Sequence, residues 1–111
     1  AGPHADLTYS ITSAPHPLIE SNAASFVERY QTTYPGDQPG WVSVHAYEAI
    51  RVVLFAITAS PMANPDNVAS NLSQTNYSTG LLGPVSFNDN GEWKTPSYHV
   101  YAWRNSHLIH P

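Results

Sequence analysis

Residues 46–57 read AYEAIRVVLFAI, and they are the most regularly patterned stretch of the chain. Apolar side chains recur there at intervals of three and four, which is the spacing of one face of an α-helix. Val52 and Phe55 flank that face and widen it, so the pattern predicts a helix that is buried on most sides. Glu48 lies off the face, and we expect its carboxylate to be solvated. The residues of the face are Ala46, Ala49, Ile50, Val53, Leu54 and Ile57.

Two shorter helices are predicted on either side of this one. The earlier helix should begin near Ser21 or Asn22 and end before Pro35, and the Asn22 side chain can cap its first turn. The later helix should begin at Asn64, because Asn is a good cap and Pro65 suits the first helical position. Their apolar faces are Ala23, Phe26, Val27 and Tyr30 in the first and Val68 and Leu72 in the second.

Strand signals lie at both ends of the chain. Leu7, Tyr9 and Ile11 alternate with polar residues, which is the period of a β-strand. Residues 85–87 lead into the turn sequence NDNG at 88–91, and residues 97–104 alternate again. Residues 105–106 then predict a tight turn, followed by a short return strand at 107–109. The chain therefore combines predicted helices and strands.

The composition excludes several functional classes. The 111 residues include 4 Lys plus Arg and 8 Asp plus Glu, for a net charge of −4. Without a basic stripe the chain is not expected to bind nucleic acid or an anionic membrane surface. The longest uninterrupted apolar run, residues 52–57, is too short for a bilayer, which needs about 20 residues. With no Cys, disulfides, thiolate nucleophiles and Cys-based zinc sites are excluded.

Few residues suggest catalysis or metal binding. His107 and His110 are three positions apart, and His99 lies on the neighbouring predicted strand. The first two sit near the end of the chain, where histidines are usually solvated. We therefore expect no metal and no other cofactor. Trp41 stands at the entry to the long helix, where an aromatic residue either lines a cleft or plugs the helix end against the core. The sequence leaves both interpretations open.

Several motifs together resemble one protein family. They are FVERY at residues 26–30, YPG at 34–36, AYEAI at 46–50, GPVSFNDNGE at 83–92 and YHVYAW at 98–103. Their order and spacing resemble the C-terminal third of type I periplasmic substrate-binding proteins of ABC importers, above all the leucine/isoleucine/valine-binding group. The resemblance covers about residues 7–109, although no single motif is highly specific.

The resemblance implies a two-lobed Venus-flytrap α/β fold with a ligand cleft between the lobes. Residues 1–111 would be its C-terminal segment, contributing to both lobes and to the hinge, and would be incomplete alone. Sheet edges and apolar helix faces would then be left uncovered. The implied protein is exported to the periplasm or outside the cell. It captures a small amino-acid-like or amide ligand, docks on a membrane permease and performs no catalysis.

The resemblance also implies one region of ligand contact. In the branched-chain group an aromatic residue five positions before the Tyr of AYEAI walls the ligand's side chain. That position here is Val42, and Trp41 is adjacent, so the match is imperfect. We expect Trp41, Val42 and Ser43 to contact the ligand. Amides, urea and aromatic acids are all bound within this superfamily, so the ligand stays open.

Two other functions fit the same sequence. The first keeps the fold but makes it the ligand-sensing domain of a receptor or regulator. The second is a secreted enzyme or carbohydrate-binding module that uses Trp41, Trp93 and Trp103 as stacking platforms, which requires these rings to be exposed and coplanar.

Overall fold

The computed structural model describes residue 6, residues 8–62 and residues 64–111. Leu7, which was predicted to open the first strand, lies outside the described residues. The elements in chain order are β1 (Tyr9–Thr12), a 3-10 turn (Ser21–Ala23), α1 (Ala24–Thr33), α2 (Trp41–Ala59), α3 (Pro65–Gln74), β2 (Tyr77–Ser78), β3 (Pro84–Val85), β4 (His99–Arg104) and β5 (His107–Ile109).

The first and last strands form one antiparallel sheet of order β1-β4-β5. Tyr9 pairs with Ala102, and Trp103 pairs with Leu108. The turn between β4 and β5 places Asn105 and Ser106 at φ values of 49° and 64°. Positive φ at both positions matches the twist of a two-residue hairpin, so the predicted turn and return strand are confirmed.

The helices and the short β2–β3 hairpin form a second layer. Asn64 caps α3 as predicted, since its side-chain oxygen accepts from the Asn67 N–H at 2.9 Å. Asn22 does not cap α1, which contradicts the prediction. A 3-10 turn precedes α1, and the Asn22 amide donates instead to the Gly80 carbonyl at 3.3 Å. The NDNG turn is present, with Gly91 at a φ of 79°.

The long helix α2 buries a different face from the one predicted. Its buried residues recur every fourth position and face the helical layer: Val44, Glu48, Val52 and Ala56. The predicted face is the exposed one, with Ile50 at 62% and Leu54 at 54% of full exposure. The prediction of a helix buried on most sides is therefore wrong for this chain. Phe55 meets the Tyr77 ring at 5.1 Å, but the described segments leave most of the wider apolar face exposed.

The sheet also leaves large apolar side chains exposed on β1, although Tyr101 and Ala102 of β4 are buried. Tyr9 and Ile11 are 57% and 70% exposed, although their alternation is that of a half-buried strand. The radius of gyration is 16.8 Å, whereas a self-contained chain of this length has about 13 Å. The molecule extends over 55 × 32 × 20 Å. These dimensions and exposed faces fit the predicted incomplete α/β fold.

Helix α2 also passes a length and composition test for a membrane span. It has 19 residues, a mean hydropathy of 1.4, and 22% of its most apolar window is buried. The sequence analysis did not predict a helix of this length and hydropathy, because it considered only the uninterrupted apolar run at residues 52–57. A core helix of a soluble protein passes the same test, and the uncovered face of α2 accounts for the low burial.

Glu48 is buried rather than solvated, which corrects the sequence prediction. It is 1% exposed because it stands one helical turn from both Val44 and Val52 on the buried face. Its Oε1 accepts a hydrogen bond from the Leu81 N–H at 3.1 Å and lies 3.6 Å from Nη1 of Arg51. Glu48 thereby attaches the loop before β3 to α2.

Replacing Glu48 with Ala should release this loop. A buried backbone N–H left without an acceptor costs about 1–3 kcal/mol, so hydrogen exchange at the Leu81 amide should accelerate about tenfold or more. Glu48→Gln keeps an acceptor oxygen and should retain most of the protection. The exposed Glu28→Ala is the matched control. Equal exchange rates in Glu48→Ala and Glu28→Ala would contradict this role.

Candidate functional site

The three residues predicted to contact ligand form the first turn of α2. The helix begins after Gly40, whose carbonyl accepts from the N–H groups of Ser43 at 3.0 Å and Val44 at 3.3 Å. Trp41 and Val42 are 43% and 60% exposed, and Ser43 is half-buried. The turn therefore presents an indole ring and an aliphatic side chain to solvent.

Behind this turn lies an aromatic–histidine cluster of Ser13, Trp41, His45 and Trp93. The His45 ring meets the Trp41 ring edge-on at 6.0 Å and the Trp93 ring edge-on at 6.4 Å. The Ser13 hydroxyl lies 3.0 Å from His45 Nε2. The cluster joins the segment after β1, the start of α2 and the segment after β3.

Sequence reasoning identified Trp41, named Trp93 only as a possible carbohydrate platform, and missed Ser13 and His45. The available signal was that His45 stands one helical turn after Trp41, so both share a helix face. Ser13 and Trp93 carried no such signal, because they reach the cluster from distant parts of the chain.

The side chains of the cluster can form hydrogen bonds, and none of them carries a formal charge at neutral pH. Burial lowers the pKa of His45, so its imidazole is neutral there. A serine hydroxyl beside an imidazole also corresponds to two of the three members of a Ser-His-Asp catalytic triad. Within the described residues no carboxylate hydrogen-bonds to His45, so the orienting third group of a triad is not in place. This arrangement suits binding.

A groove of about 650 Å³ runs beside the cluster, between α2, α3 and the segment after β3. Glu48 lies at its wall, and its Oε2 is buried with no hydrogen-bond partner among the described residues. The groove is lined mainly by apolar side chains, among them Val52, Val53, Leu72, Val85 and Phe87. It is continuous with the exposed face of α2 through Val53.

The three C-terminal histidines do not converge. The His107 Nδ1 lies 2.7 Å from the Asn105 carbonyl in its own turn. His110 Nε2 lies 3.3 Å from Glu20, and the His99 ring stacks on Tyr101. Across residues 6, 8–62 and 64–111, no group of three or more His, Asp or Glu side chains is arranged to hold a metal ion.

The chain is similar in sequence to curated solute-binding proteins. It is 26% identical over 103 residues to "Leu/Ile/Val-binding protein homolog 1" of Brucella suis and, equally, of Brucella melitensis. These alignments cover 93% of the chain and 27% of each relative. The chain thus spans about a quarter of their length. No family model matches the chain.

Two solved structures share the fold. A leucine-binding protein LivK from Thermotoga maritima is 24% identical, with a TM-score of 0.70 over 99% of this chain and 33% of its own. An ABC transporter solute-binding protein from R. palustris, in complex with benzoate, is 13% identical. It superposes with a TM-score of 0.73 over 97% of this chain and 30% of its own.

These comparisons confirm the resemblance that the motifs suggested. The chain has the fold of the C-terminal portion of type I periplasmic substrate-binding proteins, and it forms only part of that two-lobed α/β architecture. The sequence relatives are named as Leu/Ile/Val-binding protein homologues.

Acidification should destabilise the aromatic–histidine cluster. The pKa of His45 is lowered in the folded state, so the unfolded chain binds protons more readily. This contribution to stability is complete above the unfolded pKa of about 6.5 and is lost as pH falls below it. The thermal unfolding midpoint should therefore decrease as the pH is lowered from 7.5 to 5.5.

His45→Gln should reduce that decrease without abolishing it, because burial also lowers the pKa of His16. His107→Gln, at an exposed position in β5, should leave the pH dependence unchanged. The same pH dependence in His45→Gln and in the parent chain would show that His45 does not titrate in this way.

Proposed function

We propose that this chain is the C-terminal segment of an exported solute-binding component of an ABC importer. The observation that carries the proposal is the sequence similarity to Leu/Ile/Val-binding relatives over 93% of the chain. The shared fold with the leucine-binding and benzoate-bound proteins supports it. The segment binds a small molecule and performs no chemistry on it.

The segment contributes to both lobes and to the hinge between them. The β1-β4-β5 sheet is one layer and the three helices with the β2–β3 hairpin are the other. Backbone connects the layers at residues 13–20 and again at residues 94–98. Two short chain crossings between two layers suit a hinged pair of lobes, since rotation is then confined to short segments.

The remainder of the longer protein covers the exposed apolar surfaces. The relatives are about four times the length covered here, which leaves ample chain to do so. The wide face of α2 exposes several large aliphatic and aromatic side chains along its length: Ile50, Val53, Leu54, Phe55 and Ile57. Burial of such a face supplies the main free energy that holds a helix in a layered fold.

The first turn of α2 forms part of the ligand cleft. Trp41 and Val42 provide an exposed apolar wall, Ser43 lies beside them, and the neutral His45 behind them limits charge in this region. This wall suits the apolar body of a small amino-acid-like or amide ligand. The rest of the protein then binds the charged or polar groups of the ligand. One neighbour's ligand, benzoate, also has a flat apolar body.

Ligand capture closes the two lobes, and the closed form docks on a membrane permease. A ligand that touches both lobes binds the closed arrangement better and shifts the population towards it. This mechanism places the protein in the periplasm or outside the cell. No described feature favours a sensory receptor. Trp93 and Trp103 are half-buried, so they form no exposed platform with Trp41 for a carbohydrate.

Calorimetric titration of the complete protein with amino acids, amides and aromatic acids tests the proposal. At least one ligand should bind, and Trp41→Ala should weaken it about tenfold or more, because an aromatic wall contributes over 1 kcal/mol. Tyr34→Ala, at an exposed aromatic 53% accessible in the loop after α1, is the matched control and should bind normally. Absence of binding across the panel would refute the proposal.

A further inference from the structure

Two residues in the wall of the groove each bury a polar atom that finds no hydrogen-bond partner among the described residues. They are Glu48, through its Oε2, and Trp93, through its indole Nε1. The described part of the chain contains three such atoms in all, so this groove accounts for most of them. A buried polar atom without a partner forfeits the hydrogen bonds that it makes to water in the unfolded chain. The groove therefore suits an occupant that is polar at these two atoms.

The two atoms belong to the same part of the wall. Glu48 follows His45 by three positions on α2, so both side chains lie on one face of the helix. The His45 ring in turn meets the Trp93 ring edge-on at 6.4 Å. The rest of the groove is mainly apolar and includes Leu72 and Phe87. One occupant can thus meet a carboxylate oxygen and an indole N–H while it buries apolar groups beside them.

The hydrogen-bonding requirements of the two atoms select the chemistry of that occupant. Oε2 of Glu48 is an acceptor and Nε1 of Trp93 is a donor. A cationic side chain would serve Glu48 alone, and Arg51 already brings a positive charge to 3.6 Å from its other oxygen. An anionic group would serve Trp93 alone, and the Glu48 carboxylate would repel it. A peptide unit carries one N–H donor and one carbonyl acceptor, so a stretch of main chain serves both.

The source of such a main chain is the rest of a longer protein. The alignments cover 27% of each curated relative, so most of a protein of that length lies outside this chain. The groove is also continuous, through Val53, with the wide face of α2. On the proposed function the rest of the protein covers that face, and a segment lying on it reaches the groove without a separate connection.

We propose that a main-chain segment from outside these 111 residues docks in the groove, where one of its N–H groups donates to Glu48 Oε2 and one of its carbonyls accepts from Trp93 Nε1. Glu48 then attaches two segments to α2, because its Oε1 already accepts from the Leu81 N–H. The docked segment also supports Trp93 and His45 behind the ligand wall at Trp41. This inference rests on the proposed function, which supplies the longer chain.

Thiol labelling of the complete protein, made otherwise cysteine-free, reads the docking. Ser73→Cys lies on α3 at an exposed position in the lining of the groove, and Ser70→Cys lies on the same helix at an exposed position outside it. If a segment occupies the groove, labelling of Ser73→Cys should be about tenfold or more slower than that of Ser70→Cys, because the segment must first detach. Equal labelling rates at the two positions would overturn the proposal.

Two substitutions in the Ser73→Cys background test the polar contacts. Trp93→Phe removes the indole donor and leaves the segment's carbonyl unpaired, so labelling should accelerate about tenfold. Trp103→Phe, which alters a half-buried tryptophan of β4, is the matched control and should leave the rate unchanged. Equal rates in the Trp93→Phe and Trp103→Phe variants would overturn the contact assigned to Trp93.

Glu48→Gln separates the two contacts of the carboxylate. Its single oxygen can still accept from the Leu81 N–H, while its NH₂ group places a donor where the segment needs an acceptor. Labelling of Ser73→Cys should therefore accelerate about tenfold while hydrogen exchange at the Leu81 amide stays slow. Unchanged labelling, or acceleration only in step with exchange at Leu81, would show that Glu48 holds its own loop and no docked segment.

Two further measurements identify the occupant and separate this inference from the proposed function. Unfolding, extensive dialysis and refolding remove a bound small molecule, so loss of the Ser73→Cys protection after this treatment would assign the groove to a ligand and overturn the proposal. Retained protection supports a segment of the same chain. A complete protein that keeps this protection but binds no member of the calorimetric panel would refute the proposed function and leave the docked segment standing.

Discussion

Helix α2 carries two apolar faces, and the described chain covers only one of them. The narrow face, from Val44 to Ala56, packs into the helical layer and includes the buried Glu48 that holds the loop before β3. The wide face, which includes Ile50 and Leu54, stands open. A helix that is apolar on both sides belongs between two layers of structure, because exposed apolar area on this scale is unfavourable in water. The extended shape, the exposed side chains of β1 and the part-length match to relatives agree with this interpretation.

The sequence predicted the elements better than their environments. Local chemistry decides where Asn64 caps a helix, where Asn105 and Ser106 turn and where α1 ends before Pro35, and these features are found as expected. The buried face of α2 was predicted wrongly, because periodicity reports that a face is apolar and not which neighbour covers it. Glu48 was misread for the same reason, since its burial depends on Leu81, 33 positions away.

The candidate site shows the same division. The motif resemblance predicted ligand contacts at Trp41, Val42 and Ser43. These residues form the first turn of α2, and the first two are exposed. The cluster behind them could not be read from the sequence, because Ser13 and Trp93 meet His45 only through tertiary folding. The side chains that would complete a cleft around Trp41 come, on our account, from the rest of the protein.

On the proposed function, a longer protein covers the wide face of α2. Because these 111 residues contain no cysteine, a single thiol placed there reports its accessibility without background from this segment. Thiol labelling of Leu54→Cys should be rapid in the isolated segment and strongly slowed in the complete protein made otherwise cysteine-free. Met62→Cys, at a site 68% exposed beyond α2, provides the reference for each sample. Equally rapid labelling of Leu54→Cys in both proteins, relative to that reference, would show that the rest of the protein leaves the wide face of α2 uncovered.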